Sequence, residues 1–165
     1  MTIHEPGRRH FEDIKVGISF EYGNYEVTRE EIFAFAGEYD PQPHHLDEEA
    51  AKQTLVKGLC ASGWHTCAMF MRMLYDGLLA DSASLGASAI DEVQWRKPVR
   101  PGDVLKARSV CIGKRVMRSR PGVGICTMHH DIMNQHGEVL MVMDNAFFIA
   151  VRNPEAAIPD REAHQ

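Results

Sequence analysis

Apolar positions change period twice along the chain. Residues 18–27 (I-S-F-E-Y-G-N-Y-E-V) are rich in aromatic and β-branched side chains, the pattern of a strand. Thr28 then opens a capping box with Glu31, in which the hydroxyl takes a backbone N–H and the glutamate reaches back. Ile32, Phe33, Phe35 and Ala36 give the helix that follows one apolar face, and Gly37 is expected to end it. Asp47 suits the N-cap of a second short helix over 48–53, whose early glutamates complement its dipole. Residues 54–62 form a connection. The longest helical pattern, 63–79, is apolar almost all round, with Arg72 and Asp76 its only charges. A helix of that kind is expected to be surrounded by protein on most faces.

Beyond about residue 84 the pattern turns extended. Segments 87–97, 104–112, 124–133 and 139–151 read as strands separated by turn signals at Lys97-Pro98, Arg100-Pro101-Gly102-Asp103, Arg120-Pro121-Gly122 and Asn134-Gln135-His136-Gly137. One strand, then helices, then a run of meandering strands predicts an α+β fold in which a sheet wraps the buried helix. Residues 1–12 read as an arm, 13–152 as the domain and 153–165 as a tail.

Length and composition fit this picture. A chain of 165 residues, 44% apolar and 25% charged, suits one soluble domain with a substantial core. No apolar run approaches the roughly 20 residues of a membrane span, and the first residues lack a signal-peptide core. Cys60, Cys67, Cys111 and Cys126 show no CxxC spacing, so free thiols and a reducing cytoplasm are expected, with neither a zinc site nor a disulfide framework. The net charge of −5 is unevenly spread: residues 96–120 carry nine basic side chains against Asp103 alone. That stretch is either a surface for a small polyanion, such as a nucleotide or phosphorylated cofactor, or a strand edge guarded by charge. A nucleic-acid partner is not expected from an acidic chain without basic–aromatic interleaving.

The candidate chemistry gathers in A-F-A-G-E-Y-D-P-Q-P-H-H-L-D, residues 34–47. Asp40 and Gln42 each precede a proline, which stiffens the loop and favours extended backbone. A stiff loop holding a carboxylate beside an imidazole suits general acid–base work, although the same prolines also serve simply to join two helices. Ser62 is a natural N-cap, making Gly63 the first residue of the long helix. The Gly63 N–H is then unpaired, with no side chain to keep a ligand oxygen away, or the glycine merely eases a tight turn.

These segments carry a resemblance. The run F-A-F-A-G-E-Y-D-P-Q-P-H-H-L-D-E-E-A-A resembles the hydratase motif of the MaoC-like dehydratases, the (R)-specific enoyl-CoA hydratase group, at Asp40, Pro43, His45 and Asp47. The likeness continues in A-S-G-W-H-T at 61–66, W-R-K-P-V-R-P-G-D-V-L at 95–105 and N-Q-H-G-E-V at 134–139. It implies a hot-dog fold, with a curled antiparallel sheet around a central helix, and a homodimer that joins sheets edge to edge with the acyl-CoA at the subunit interface. It also implies that Asp40 and His45 bind and polarise the water that adds to C3 of a trans-2-enoyl thioester. Asp40 is the first choice to take the water's proton, and the Gly63 N–H would receive the thioester oxygen. The reverse reaction dehydrates a 3-hydroxyacyl-CoA. The CoA thioester is the substrate, so no metal or other cofactor is expected.

Gln42, Ser62, Trp64 and His65 flank these groups and are expected to line the substrate pocket, His65 with the alternative of being packed and hydrogen-bonded. Arg118 and Arg120 are the expected CoA-phosphate contacts, on charge alone. Gln42 replaces the family's usual asparagine, and Met71 stands where some hydratases carry a serine. In extended backbone His44 and His45 would point opposite ways, and the H-L-D context selects His45. His44 is expected at the rim or an interface. His129-His130-Asp131 is expected on the solvent face rather than at a metal. Met69, Met71 and Met73 are read as core filling or an acyl tunnel. A hot-dog thioesterase and a non-catalytic acyl-CoA-binding subunit are the alternative functions.

Overall fold

The computed structural model describes residues 8–156. Residues 1–7 of the arm and 157–165 of the tail lie outside them. The described part of the arm lies against the domain: Arg9 bridges to Ser82, and the 3-10 turn Phe11–Asp13 seats Phe11 over Gly124.

Strand β1, Ser19–Glu26, runs into helix α1, Arg29–Tyr39. The capping box forms as expected, with the Glu31 N–H donating to Thr28 Oγ1 at 3.2 Å. The helix does not end at Gly37. It runs on to Tyr39, and Asp40 N–H still reaches Ala36 O at 3.0 Å. Proline disfavours helical backbone in the residue before it, so Pro41, not the glycine, stops the helix at Asp40.

Pro43–Leu46 forms one helical turn, α2, and Glu48–Lys52 forms α3, capped by Asp47 through the N–H groups of Glu49 and Ala50. The central helix α4 spans Gly63–Leu74, shorter than the 63–79 expected from sequence. Its continuation, Tyr75–Leu79, widens to a π-helical turn containing Gly77, where a Cβ would stand 2.4 Å from the Tyr22 side chain.

Four strands follow: β2, Ser84–Trp95; β3, Val104–Met117; β4, Arg120–Met133; and β5, Val139–Ala150. All pairings are antiparallel, in the order β1-β3-β4-β5-β2. The expected turn at 120–122 lies two residues earlier. Arg118 and Ser119 make it, and Pro121 and Gly122 fall inside β4. The register jumps between Val116 and Met117, from Gly124 to Arg120, so this stretch of β4 is outside the regular ladder and asks no N–H of the proline.

The inner face of the sheet alternates as a half-buried strand should: Leu105, Ala107, Ser109 and Cys111 on β3, and Cys126, Met128, His130 and Ile132 on β4, are all buried. Met69, Phe70, Met73 and Leu74 of α4 pack into the same core. The helix rests chiefly on β1 and β3. It is not covered on every side: Trp64, Met71 and Tyr75, on the side towards β2, are all exposed.

His130 corrects the expectation of a solvent face for the 129–131 run. Strand alternation places it in the core, and it is 1% exposed. His129 and Asp131 face outward. His129 Nδ1 lies 2.6 Å from Asp144 and its Nε2 3.3 Å from Asp131, which also pairs with Arg108 at 2.7 Å. The hydrogen bond to Asp144 leads in raising the His129 pKa above its ordinary value. A raised pKa stabilises the folded chain fully below the ordinary value, and the gain is lost as pH climbs through the raised one. The stability gap between wild type and His129→Gln should therefore shrink as pH rises above the ordinary histidine value of about 6.5. The gap should be about 1 kcal/mol or less at its largest, because the pair is partly solvated. Urea unfolding at stepped pH reads it, and a gap that widens would contradict the assignment.

Candidate functional site

Asp40 closes α1 with non-helical backbone, φ −150° and ψ 69°. Pro43 takes the first position of α2, where its missing N–H is not needed and its φ is already helical. His44 and His45 therefore lie on a helical turn, not on extended chain. Their rings do not diverge but touch, with centroids 4.0 Å apart. His45 is buried with its Nε2 3.4 Å from Asp40 Oδ2, while His44 is only partly buried. His45 Nδ1 lies 2.7 Å from Cys60 O. A carbonyl can only accept, so Nδ1 carries a proton, and in the neutral tautomer Nε2 is the bare nitrogen that faces Asp40.

Asp40 receives two further donors. Gln42 Nε2 donates to Oδ1 at 2.7 Å and the Ser62 hydroxyl to Oδ2 at 2.6 Å. The Ser62 hydroxyl leads in holding the Asp40 carboxyl below its usual range, with Gln42 and the two histidines adding to it against a burial effect that raises it. Burial pushes the His44 pKa down. Ser62 is the N-cap of α4 by position, yet its hydroxyl makes no cap bond and goes to Asp40 instead. Its carbonyl still accepts from Thr66 N at 2.9 Å.

Gly63, next in the chain, begins α4, and its N–H has no partner among the described residues. The glycine is required here for a different reason from ligand approach. The Trp95 indole lies against it, so that a Cβ would be 2.6 Å from the ring, and Trp95 Nε1 donates to Gly63 O at 2.9 Å. Trp95 was quoted in the sequence only as part of a turn motif. Its polar and charged neighbours, Gln94 and Arg96, gave no sign that it would fold over the start of α4. Arg100 secures the segment behind, donating to Leu59 O at 3.1 Å and also to Val56 O.

These groups line a cavity of about 450 Å³. Asp40, Gln42, His44, His45, Ser62, Gly63 and Trp64 all border it, as do Trp95, Arg96 and Lys97. His65 does not. It is buried on the other side of α4, stacked on Phe35 with centroids 4.5 Å apart, and its Nδ1 has no hydrogen-bond partner. Arg118 and Arg120 are also elsewhere. They flank the β3–β4 hairpin, and along β4 Arg120 is roughly 40 Å from Ile132, the position level with Trp95 through Met141. The basic side chains at this cavity are Arg96 and Lys97; Lys97 is paired with Glu138 at 2.6 Å. Among the described residues, no group of three or more His, Cys, Asp or Glu side chains is placed to hold a metal ion.

The arrangement presents two acceptors, Asp40 Oδ2 and His45 Nε2, to one small space beside a free N–H. Such a site can grip a water by both its protons. Comparison with known proteins gives the family: residues 14–131 match the one described as MaoC like domain. The chain belongs to that family. A MaoC-like dehydratase from Rhodospirillum rubrum shares 39% identity and a TM-score of 0.79, over 87% of this chain and 98% of that one. The uncharacterized protein YdeM of Bacillus subtilis is 30% identical over 113 residues, 68% of this chain and 79% of its own. An (R)-hydratase from Pseudomonas aeruginosa, at 19% identity, shares the fold with a TM-score of 0.67 over 94% of this chain and 96% of its own. This MaoC-like domain therefore has the hot-dog fold, with α4 as the helix inside the curled sheet.

Ser62→Ala removes the strongest of the donors that depress Asp40. The carboxyl should then titrate at higher pH than in wild type, which carbon NMR of the Asp40 side chain follows directly. An unshifted titration would mean that the serine does not set the charge of Asp40.

Proposed function

We propose that this MaoC-like domain is a hydro-lyase that adds water to trans-2-enoyl-CoA thioesters with (R) stereochemistry, or removes it from the 3-hydroxyacyl thioester. The observation that carries the reading is Asp40 and His45, 3.4 Å apart in a cavity whose other wall begins with the unpaired Gly63 N–H. The water donates one O–H to each acceptor. Asp40 accepts its proton as the oxygen bonds to C3, electrons move through C2 onto the thioester oxygen, and the proton held by Asp40 then passes to C2 as the carbonyl re-forms, returning Asp40 to its carboxylate. The Gly63 N–H meets the negative charge that develops on that oxygen. A fixed donor of this kind is typically worth about 10²–10³ in rate. Gln42, in place of asparagine, fills the supporting role by holding Asp40 Oδ1. The relationship to a MaoC-like dehydratase at 39% identity supports the reaction class; the (R) outcome follows the motif resemblance.

Arg96 and Lys97 are proposed as the CoA-phosphate contacts of this subunit, since they border the cavity and Arg118 and Arg120 do not. A second copy of the chain is proposed to pair along β2, an edge strand exposed on both faces, and to cover the open side of α4. Free thiols at all four cysteines suit the cytoplasm.

The test is a panel of enoyl-CoAs followed by loss of the conjugated thioester absorbance. Asp40→Asn and His45→Gln should each lower kcat/KM by about 10²–10⁴ with the thermal midpoint little changed. Full activity in both variants would remove the site. Release of free CoA thiol would mark a thioesterase, and tight binding with no turnover a non-catalytic subunit. Separately, Arg96→Ala with Lys97→Ala should raise KM for CoA esters and flatten its dependence on salt, because fewer phosphate charges are met. A salt dependence unchanged from wild type would place the phosphates elsewhere.

A further inference from the structure

A second cavity, of about 180 Å³, lies at the far end of the central helix from the Asp40 loop. Leu74, Leu78, Leu79, Met128 and Phe147 give it apolar walls, and half-exposed Met71 borders it. Two polar side chains, His130 and Asn145, also line it. They end a row of hydrogen bonds that crosses the inner face of the sheet from β1 to β5. Tyr22 OH lies 2.5 Å from Ser109 Oγ, Ser109 Oγ 2.6 Å from His130 Nδ1, and His130 Nε2 3.0 Å from Asn145 Oδ1.

One direction of this row leaves no proton stranded. Burial keeps His130 below its ordinary pKa and pushes Tyr22 up to about 12, so both are neutral near pH 7. Tyr22 O–H donates to Ser109, Ser109 O–H to bare Nδ1, and Nε2–H to the Asn145 carbonyl oxygen. Reversed, the Tyr22 proton would have no acceptor among the described residues, which is costly in a core. Asn145 therefore turns its oxygen to His130 and keeps its NH₂ spare. That nitrogen has no hydrogen-bond partner among the described residues. Asn145 is only partly buried, so water reaches these two spare donors, and a ligand acceptor entering the apolar cavity takes the place of that water. No lysine or arginine lines it, so a carboxylate would lose its hydration with no countercharge. An uncharged carbonyl or hydroxyl oxygen fits.

The two cavities lie on one side of α4. Trp64 packs edge-on to Trp95 of β2 at the first, and Met71, two turns on, shares the second with Ala87 of β2. Their spacing can be measured twice. Gly63 to Met71 is roughly 12 Å along the helix, and Met141, level with Trp95, to Asn145 is roughly 13 Å along β5. An extended carbon chain advances roughly 1.3 Å per bond, so about ten carbons bridge the distance.

We infer that the natural substrate is an acyl thioester of about ten carbons with an uncharged hydrogen-bond acceptor near its far end, held by the Asn145 amide in the second cavity. This rests on the hydratase reading for which end reacts. Binding tests it apart from turnover. Dissociation constants are measured by calorimetry for decanoyl-CoA and for its analogue with an oxo group near the far end, alongside hydration of short and long enoyl-CoAs. Wild type should bind the oxo ester about tenfold more tightly, the gain of one hydrogen bond. Asn145→Leu should erase that preference, and Leu79→Phe, which fills the cavity, should weaken both long esters relative to butyryl-CoA. Equal wild-type affinity for the two long esters, or a preference that survives in Asn145→Leu, overturns the inference. An oxo preference without any hydration would sink the hydratase reading alone. Hydration without the preference would sink this inference alone.

Discussion

A helix that is apolar nearly all round cannot stand in water, and the chain is arranged to satisfy α4. Five antiparallel strands curl about it, offering an inner face of Leu, Ala, Met, Ile and Cys side chains crossed by one polar row. Each Leu, Ile or Met among them contributes about 1.5–3 kcal/mol when fully buried. The sheet supplies that burial on the β1 and β3 side. It leaves Trp64, Met71 and Tyr75 uncovered towards β2, and along this open side the two cavities lie.

The start of the same helix organises the chemistry. Its first N–H groups have no partner within the helix. A serine cap would ordinarily satisfy one of them, but Ser62 spends its hydroxyl on Asp40. That single bond joins the proline loop to the helix start and sets Asp40 beside the Gly63 N–H, which no N-cap side chain reaches. It also keeps Asp40 ionised and Asp40, His45 and Gly63 in one place. Trp95 covers the Gly63 backbone from the β2 side, which explains why no larger residue fits there. The polar row from Tyr22 to Asn145 obeys the same constraint inside the core: each buried donor has found an acceptor, and the spare donors sit where the core opens.

Much of this was legible along the chain. The period-2 strands, the Thr28–Glu31 capping box, the Asp47 cap and the long apolar helix all express local preferences that the tertiary structure leaves intact. The misjudged points share one physical origin, a local signal read without its neighbour. Gly37 looked like a helix end, but the steric effect of Pro41 on Asp40 sets the boundary. His44 and His45 were read as lying on extended chain, whereas Pro43, just before them, starts a helical turn. His130 looked like half of an exposed pair, though alternation alone would have sent one of the two inward.

The amino-acid sequence by itself determined the α+β class, the central helix and the stiff loop that brings a carboxylate and an imidazole close, because those depend on residues a few positions apart. Only the tertiary structure decided that Ser62 serves Asp40 rather than its own helix, and that His65 faces the core. It alone assigned Arg96 and Lys97, not Arg118 and Arg120, to the cavity, and placed Asn145 at the end of a buried row with its amide unspent. Each of these depends on which strand lies beside which, and on which face of it points inward. Pairing across 20 to 100 positions sets that, and no local pattern encodes it.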